Sequence, residues 1–323
     1  MTHPSELDWR QSKVLVTGAS GFLGRALVKG LVARGSRVHA LVSKESYTET
    51  PSYFNMTAVT TVPGDVTDLN GLSSLLADER FDVIIHLAAI NSNTKIISPY
   101  ALWESNIRGT YSILEACRTV TPDARIVIAS SREAELCLGL DSSRRYHPYM
   151  VSKAANELIA FSYRDSFSLA VACIRTDNIY GEGDRNWQRL IPGAILSILR
   201  GEPPVIRSDG GLMRAYIYVD DVVNAYCAVA ERLHDRSIGV SPIKISTGTN
   251  ISVLDLVNLL IAISDQKELI PLILHENRDE RIDQIYDSAR EKELLDWECA
   301  TTIHDGLILT YNWYKTHIKS LPI

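Results

Sequence analysis

Apolar residues in the first half of the chain form short continuous runs, separated by longer stretches in which they recur every third or fourth position. The continuous runs predict buried strands at residues 13–17, 37–42, 58–62, 82–88, 125–130 and 170–175. The spaced stretches predict amphipathic helices at residues 21–34, 100–120 and 149–166. Strands that are apolar on both faces are typical of parallel sheets covered by helices, so the alternation predicts a doubly wound, mostly parallel α/β sheet.

The pattern changes after about residue 175, where glycine and proline become frequent and the apolar runs become shorter and mixed. These later segments predict a smaller, mixed α/β C-terminal lobe. One later stretch, at about 215–247, resumes the strand and helix signals of the first half. We therefore expect a first domain of residues 1–178 and about 215–247, and a second lobe of about 179–214 and 248–323.

Composition narrows the class of protein. The 323 residues are 46% apolar and carry a formal net charge of -6, which favours a globular protein and argues against a nucleic-acid-binding surface. No apolar run approaches the roughly 18 residues that a membrane-spanning helix needs. The first twelve residues are polar, so no signal peptide is predicted.

The cysteines are dispersed, and none lies in a C-x-x-C pair or beside a histidine cluster. This arrangement is typical of reduced thiols in a cytoplasmic protein, and it predicts neither a disulfide framework nor a metal site. The five positions are Cys117, Cys137, Cys173, Cys227 and Cys299.

A glycine-rich turn follows the first predicted strand and opens the first predicted helix. Gly18 permits a tight turn, Gly21 lets a pyrophosphate approach the backbone, and Gly24 lets the helix pack closely on the strand. The helix N-terminus then offers backbone N–H groups to phosphates. The turn predicts a dinucleotide site, and its other expected contacts are Ser20, Phe22 and Leu23.

The end of the second strand bears on which nicotinamide cofactor binds. Enzymes that use NAD commonly place a carboxylate there for the ribose hydroxyl, whereas a basic residue suits the extra phosphate of NADP. This strand ends at Ser43 and Lys44. The pair favours NADP over NAD, and the alternative is that Lys44 is a solvated surface charge.

A tyrosine and a lysine lie four residues apart, at Tyr149 and Lys153, and so share one face of the predicted helix. A tyrosine phenol has a pKa of about 10, but a neighbouring ammonium favours the phenolate. Tyr149 could then exchange a proton with a substrate hydroxyl while hydride moves to or from its carbon. Ser131, at the end of the preceding strand, would hold the same substrate oxygen.

The same spacing recurs at Tyr311 and Lys315 near the C-terminus. No serine-bearing strand precedes this second pair, and its helix has the pattern of a surface amphipathic helix. We therefore interpret the second pair as structural.

Together these motifs resemble the extended short-chain dehydrogenase/reductase family, in its NAD-dependent epimerase/dehydratase branch. The resemblance covers almost the whole chain and is nearest to enzymes similar to CDP-glucose 4,6-dehydratase. It implies a nucleotide-sugar substrate held by the C-terminal lobe, and a homodimer that pairs the helices around Tyr149 and Asn106. It also implies further cofactor contacts at Asp65, Val66, Leu87, Ala88, Ala89, Asn106, Tyr149, Lys153 and Ile179, and substrate contacts at Arg132, Asn178, Arg189 and Arg214.

The resemblance fails directly after Ser131. Dehydratases of this branch place Asp-Glu or Asp-Lys there and then a Tyr-Gly turn, whereas this chain has Arg132, Glu133, Ala134 and Glu135. A 4,6-dehydration oxidises C4, which acidifies the C5 hydrogen, and then needs a general acid to expel the C6 hydroxyl. A guanidinium cannot serve as that acid. Glu133 is the candidate second acid or base. The alternative for Arg132 and Glu133 is an exposed ion pair of little consequence.

The sequence therefore predicts an NAD(P)-dependent enzyme that oxidises or reduces a ring carbon of a nucleotide sugar, with epimerisation or ketone reduction favoured. One alternative is a 4,6-dehydratase that uses Glu133 or another acid. A second alternative is a catalytically degenerate dinucleotide-binding protein.

Overall fold

The computed structural model describes residues 7–47, 57–91, 98–139, 146–233, 238–276 and 288–321. Its strands are β1 (Lys13–Thr17), β2 (Arg37–Val42), β3 (Val59–Pro63), β4 (Val83–His86), β5 (Arg125–Ala129), β6 (Ala170–Thr176), β7 (Asn178–Tyr180), β8 (Val205–Ile206), β9 (Met213–Arg214), β10 (Tyr216–Tyr218), β11 (Ile243–Ile245), β12 (Ile251–Ser252) and β13 (Leu272–Ile273).

The α-helices are α1 (Phe22–Ala33), α2 (Lys44–Tyr47), α3 (Leu69–Glu79), α4 (Pro99–Trp103), α5 (Gly109–Val120), α6 (Arg132–Leu138), α7 (Pro148–Phe167), α8 (Leu190–Leu199), α9 (Val219–Arg232), α10 (Val253–Ile263), α11 (Ala289–Leu295) and α12 (Ile303–His317). A π-helical turn, Glu104–Arg108, joins α4 to α5, and a 3₁₀ turn, Ile318–Ser320, follows α12.

The main sheet has seven strands among the described residues, in the order β11-β6-β5-β4-β1-β2-β3. Every neighbouring pair from β6 to β3 is parallel. The predicted doubly wound α/β fold is thus confirmed. The strand order reverses between β1 and β4, and in such sheets ligands bind beyond the carboxyl ends of the strands at this reversal.

The chain folds into two compact units, each with its own core. The first comprises residues 1–175 and 223–244, and the second comprises residues 176–222 and 245–323. The core of the first unit joins apolar side chains of the sheet to helices α3, α5 and α7, including Leu76, Ile113 and Ile126 at 0% exposure. This packing holds the carboxyl ends of β1, β4 and β5 at one edge of the sheet.

The second unit has a separate core, formed by helices α8, α10 and α12 and the aromatic strands β7 and β10. β7 and β10 are parallel partners, with Asn178 opposite Tyr216. β9 pairs with β12 and β8 pairs with β13, so this unit has short two-stranded sheets within the described residues. The predicted smaller, mixed lobe is observed in this architecture.

Candidate active site

The glycine turn lies at the reversal point of the sheet. Gly18 has a φ of +66°, a conformation that favours glycine. A Cβ atom on Gly18 would come within 2.8 Å of the backbone of Ala88, directly beyond β4. The predicted cofactor segments 18–24 and 87–89 are therefore in contact, because β1 and β4 are paired in register from Val14 to Thr17.

Gly24 is required for close packing inside the same turn. A Cβ atom there would lie 2.7 Å from the Cα of Ala19 and would also overlap the Gly18 carbonyl oxygen. Helix α1 begins with Gly21 as its N-cap, a residue with no side chain, and its first turn carries the uncharged Phe22 and Leu23. The residues present fit a dinucleotide, because a helix N-terminus without competing acidic side chains favours phosphate.

The predicted contacts at the tips of the second and third strands lie at exposed or half-buried positions. Ser43 accepts a hydrogen bond from the Ser46 N–H at 3.2 Å, and Lys44 is exposed. Asp65 accepts the Thr67 N–H at 2.8 Å. Val66 packs beneath Gly109, where a Cβ atom would approach it to 2.8 Å. The tight packing at Gly109 fixes the turn that carries Asp65.

A buried hydrogen-bond chain connects the glycine turn to the π-helical turn. The imidazole of His86 contacts the Thr17 hydroxyl at 2.8 Å through Nδ1 and the Thr110 hydroxyl at 3.2 Å through Nε2. Thr17 also accepts the Ala88 N–H at 3.2 Å. Burial, with a smaller effect from the Lys153 charge, lowers the pKa of His86 to about 3. His86 is therefore neutral and serves to hold these segments together.

Asn106 lies at the centre of the π-helical turn and is fully buried. Its side-chain amide accepts the Ile90 N–H at 2.7 Å and donates to the Ile90 carbonyl at 3.1 Å and to the Ser152 hydroxyl at 3.0 Å. Ser152 in turn donates to the Tyr149 carbonyl at 2.7 Å. Asn106 thus ties the segment beyond β4 to the first turn of α7.

Helix α7 carries the predicted tyrosine and lysine. It begins at Pro148, and the His147 imidazole caps it by accepting the Tyr149 N–H at 3.3 Å. Tyr149 therefore lies in the first turn, where the positive end of the helix favours an anion. The Lys153 ammonium lies 5.8 Å from the centroid of the Tyr149 ring.

Lys153 is almost completely buried, and its ammonium donates to the Ala129 carbonyl at 2.8 Å. Burial lowers the pKa of Lys153 to about 8, and the neighbouring Cys173 and Glu157 oppose that shift. Lys153 thus retains its positive charge at neutral pH. This charge and the helix terminus both favour the phenolate form of Tyr149.

The segment after Ser131, where the resemblance to the family fails, is the helix α6. Ser131 is its N-cap and accepts the Glu133 N–H at 3.2 Å. That bond uses an oxygen lone pair, so the hydroxyl hydrogen of Ser131 can still donate to a substrate oxygen. Arg132 and Glu133 are half-buried in the first turn of α6, and their roles in substrate binding and catalysis stay predictions beside the alternative of an ion pair of little consequence.

A buried ionic network near this helix was missed in the sequence. Glu157, at 0% exposure, accepts the Ser130 hydroxyl at 2.5 Å and two bonds from Arg175, at 2.8 and 2.7 Å. Glu135 of α6 pairs with Arg175 at 3.3 Å and with Lys244 at 2.9 Å. The available signal was that Glu157 lies four residues after Lys153, on the same face of α7.

The predicted contacts of the second unit lie apart from one another along its chain. Asn178 is exposed and donates to the Ala215 carbonyl at 2.9 Å, and Ile179 is half-buried beside it in β7. Arg189 precedes α8 and pairs with the buried Asp184 at 2.9 Å. Arg214 ends β9 opposite Ile251. The substrate roles of Asn178, Arg189 and Arg214 and the cofactor role of Ile179 stay predictions.

The second tyrosine–lysine pair is structural in its contacts. Tyr311 is buried in the core of the second unit, although a surface helix was expected, and Lys315 is exposed and pairs with Asp265.

In the described ranges, no three His, Cys, Asp or Glu side chains form a group that could hold a metal ion. Nor does any helix of the described ranges have the length and apolar character needed to cross a membrane.

Residues 14–240 match the model of the NAD dependent epimerase/dehydratase family. Among curated proteins, the chain is 28% identical over 332 residues to a dTDP-4-dehydro-6-deoxy-D-allose reductase from Streptomyces sp, covering 96% of this chain and 98% of that protein. It is 25% identical over 324 residues to a UDP-glucuronate 4-epimerase from Thermodesulfobacterium geofontis, covering 94% of this chain and 97% of that protein.

The chain is also 26% identical over 325 residues to a trifunctional UDP-glucose 4,6-dehydratase/UDP-4-keto-6-deoxy-D-glucose 3,5-epimerase/UDP-4-keto-L-rhamnose-reductase from Arabidopsis thaliana. The match covers 96% of this chain but spans only 48% of that relative. Among solved structures, the epimerase Mth375 from Methanothermobacter thermautotrophicus has a TM-score of 0.83 at 24% identity, covering 97% of this chain and 96% of that chain. The Bordetella bronchiseptica enzyme WbmF, in complex with NAD+ and UDP, has a TM-score of 0.80 at 24% identity, covering 96% of this chain and 94% of that chain.

Proposed function

Because the chain belongs to the NAD dependent epimerase/dehydratase family, we propose that it is an NAD(P)-dependent enzyme that oxidises and reduces a ring carbon of a nucleotide sugar. The observation that carries the proposal is the buried Lys153 ammonium, 5.8 Å from the Tyr149 ring at the start of α7. The family membership expected from the sequence motifs is confirmed. The three curated relatives named above support the substrate class, since each of their names refers to a nucleotide sugar.

In this proposal, the first unit binds the dinucleotide and the second unit binds the nucleotide sugar. Residues 18–24 and 87–89, together with Asp65 and Val66, would hold the cofactor. The bound cofactor supplies the acceptor and donor of hydride. Tyr149 removes the proton of the substrate hydroxyl during oxidation and returns a proton during reduction, with Ser131 donating a hydrogen bond to the same oxygen.

The position of α6 supports epimerisation or ketone reduction over 4,6-dehydration. Expulsion of a C6 hydroxyl needs a proton donor, and the Arg132 guanidinium stays protonated. Glu133 lies in the first turn of α6, where the helix stabilises a charged carboxylate. A carboxylate at this position can accept a proton beside a transient ketone.

The proposal is tested with a panel of nucleotide sugars, each incubated with the protein and either NAD or NADP. The panel contains UDP-, dTDP-, CDP- and GDP-glucose and the corresponding 4-keto-6-deoxy sugars. Epimerised or reduced sugars, identified by NMR, are the expected products. A 4-keto-6-deoxy product from a glucose substrate would favour the dehydratase alternative. Cofactor binding without hydride exchange on any sugar would favour a degenerate site.

The cofactor preference rests on the tip of β2. The exposed Lys44 ammonium suits the extra phosphate of NADP, and Ser43 lies beside it. Calorimetry with both cofactors is expected to give tighter binding of NADP. Lys44→Glu should weaken NADP binding about tenfold and leave NAD binding within twofold. Tighter binding of NAD by the unaltered protein would contradict this preference.

A homodimer is supported by apolar side chains on the outer faces of two helical segments of the first unit. Tyr100 is 72% exposed and Trp103 is 43% exposed on α4, and Tyr111 is 42% exposed on α5. Leu158 and Phe167 are 56% and 49% exposed on α7. Helices α4 and α5 both contact α7, and large apolar side chains exposed on neighbouring helices are typical of an interaction surface. Since all five cysteines are free thiols, a reducing, cytoplasmic location remains part of the proposal.

A further inference from the structure

Ser131, the proposed partner of the substrate oxygen, is attached to the fold on both sides. On its N-terminal side, the Ser130 N–H donates to the Ile174 carbonyl at 2.8 Å and the Ser130 hydroxyl donates to Glu157. On its C-terminal side, the Ser131 carbonyl accepts the Ala134 N–H at 3.0 Å within α6. The position of Ser131 therefore depends on where α6 is held.

Glu135 is the residue of α6 that forms ion pairs with two strands. Its carboxylate pairs with Lys244 of β11 at 2.9 Å and with Arg175 of β6 at 3.3 Å. Glu135 lies four residues after Ser131, one helical turn away, so its attachment restrains the helix that Ser131 caps.

Arg175 joins the two attachments. Its guanidinium binds Glu157 through two hydrogen bonds and pairs with Glu135 through the remaining Nη1 nitrogen. Arg175 is 5% exposed and Glu157 is completely buried, so this part of the network is held in place by the core. Two carboxylates and two cations balance across the network, which leaves no uncompensated buried charge among Glu135, Glu157, Arg175 and Lys244.

We propose that Glu135 is a positioning residue for the reaction: by bridging Arg175 and Lys244, it holds α6 in the place that sets the Ser131 hydroxyl against the substrate. The proposal rests on the proposed function, because it assigns Ser131 a catalytic contact. Lys153 and Tyr149 lie on α7, where Lys153 donates to the Ala129 carbonyl and the Tyr149 carbonyl accepts the Ser152 hydroxyl, and neither contact involves Glu135. Loss of the Glu135 charge should therefore shift the Ser131 hydroxyl and leave Tyr149 and Lys153 in place.

Glu135→Gln is the appropriate variant, because it keeps the shape of the side chain and removes its charge. Glu135 is 39% exposed as a side chain, and half-exposed ion pairs contribute little to global stability. The variant should fold, while the amide hydrogens of α6 exchange about tenfold faster in mass spectrometry. Lys244→Gln leaves the ion pair between Glu135 and Arg175 intact, so it should increase the exchange of the α6 amide hydrogens by less than Glu135→Gln does.

Glu79→Gln is a matched control in the same unit. Glu79 is 36% exposed and also bridges two basic groups, Lys13 at 2.7 Å and His39 at 3.4 Å, beside the start of β1. It lies at the opposite edge of the sheet from Ser131. This variant should leave α6 exchange and turnover as they are in the wild type.

Kinetics then separate positioning from stability. On whichever sugar of the panel the wild type turns over fastest, Glu135→Gln should lower kcat about tenfold while KM and cofactor affinity stay within twofold. If the amide hydrogens of α6 exchange at the wild-type rate in Glu135→Gln, Glu135 does not anchor α6. If their exchange is faster but kcat is unchanged, Glu135 does not position Ser131 for the reaction. If the wild type turns over no sugar of the panel, the proposed function fails, and the exchange measurement still decides whether Glu135 anchors α6.

Discussion

His86 shows how a single buried residue organises this site without taking part in the chemistry. Its ring connects Thr17 at the end of β1 to Thr110 at the start of α5, and burial keeps it uncharged. A protonated imidazole would lose its acceptor nitrogen in this chain of hydrogen bonds. The neutral form is therefore part of the folded state.

This residue makes stability depend on pH. The pKa of His86 falls from 6.5 to about 3 on folding, so protons bind preferentially to the unfolded chain below pH 6.5. Its contribution is fully present above pH 6.5 and is lost as the pH falls toward 3. Between pH 6.5 and 5, His86 alone should lower the free energy of unfolding by about 2 kcal/mol.

Urea unfolding of wild type and His86→Asn at the two pH values measures this effect. The variant is expected to be less stable at pH 6.5 but to lose about 2 kcal/mol less on acidification. His317→Asn, at an exposed position of α12, is the control and should follow the wild type. Equal losses in wild type and His86→Asn would show that His86 is not the group that titrates.

At the residue scale, the sequence predicted the residues that belong to short motifs and missed those that meet only through packing. Tyr149 and Lys153 lie on one helix, so their spacing was sufficient to predict that they share a face. Arg175 and Glu157 come from β6 and α7, and their pairing depends on how that helix packs on that strand. The spacing of Lys153 and Glu157 placed both on one face of α7, but the sequence contains no local signal that Glu157 pairs with Arg175.

At the scale of elements, the β1–α1 turn depends on the absence of side chains. A methyl group at Gly24 would overlap the backbone of Gly18 and Ala19, and backbone cannot rotate away as a side chain can. The turn would have to open, and α1 would move from the position in which, under the proposed function, its N-terminus faces the cofactor phosphates.

Gly24→Ala is therefore expected to weaken binding of NAD and NADP by at least about tenfold and to lower the free energy of unfolding by about 2 kcal/mol. Calorimetry and urea unfolding measure the two effects. Gly211→Ala is the control, since a Cβ atom there meets only a side-chain oxygen at 3.5 Å. Wild-type cofactor affinity in Gly24→Ala would show that this turn does not hold the dinucleotide.

The element that the sequence predicted least well is α6. No helix was predicted after Ser131, but Ser131 accepts a backbone N–H as a helix cap and Glu133 is favourable in the first turn. The predicted helix at 100–120 was also interrupted, by the π-helical turn that places Asn106 inward. Both features depend on contacts with α7, which periodicity alone does not report.

At the scale of the whole molecule, the exposed apolar faces of α4, α5 and α7 predict self-association. Leu158 is 56% exposed in the middle of α7, on a helix that otherwise buries Met150, Ala154 and Ala160. A charge at this position would have to be desolvated in a paired interface, which is unfavourable without a partner.

Leu158→Glu should therefore convert a dimer to a monomer, or raise the dimer Kd at least about a hundredfold. Light scattering after size exclusion measures the mass. Leu309→Glu changes a leucine of similar exposure, 48%, on α12 and should remain dimeric. A wild-type protein that is monomeric at micromolar concentration would contradict the expected homodimer.

The most direct test of the central claim is the rate of hydride exchange between bound cofactor and nucleotide sugar in wild type and Tyr149→Phe. The substitution removes only the phenolic oxygen, so cofactor affinity and the fold should be preserved. We predict that the wild type interconverts or reduces at least one sugar of the panel and that Tyr149→Phe does so at least about a hundredfold more slowly. Full turnover by Tyr149→Phe would contradict the assignment of Tyr149 as the acid and base of the reaction.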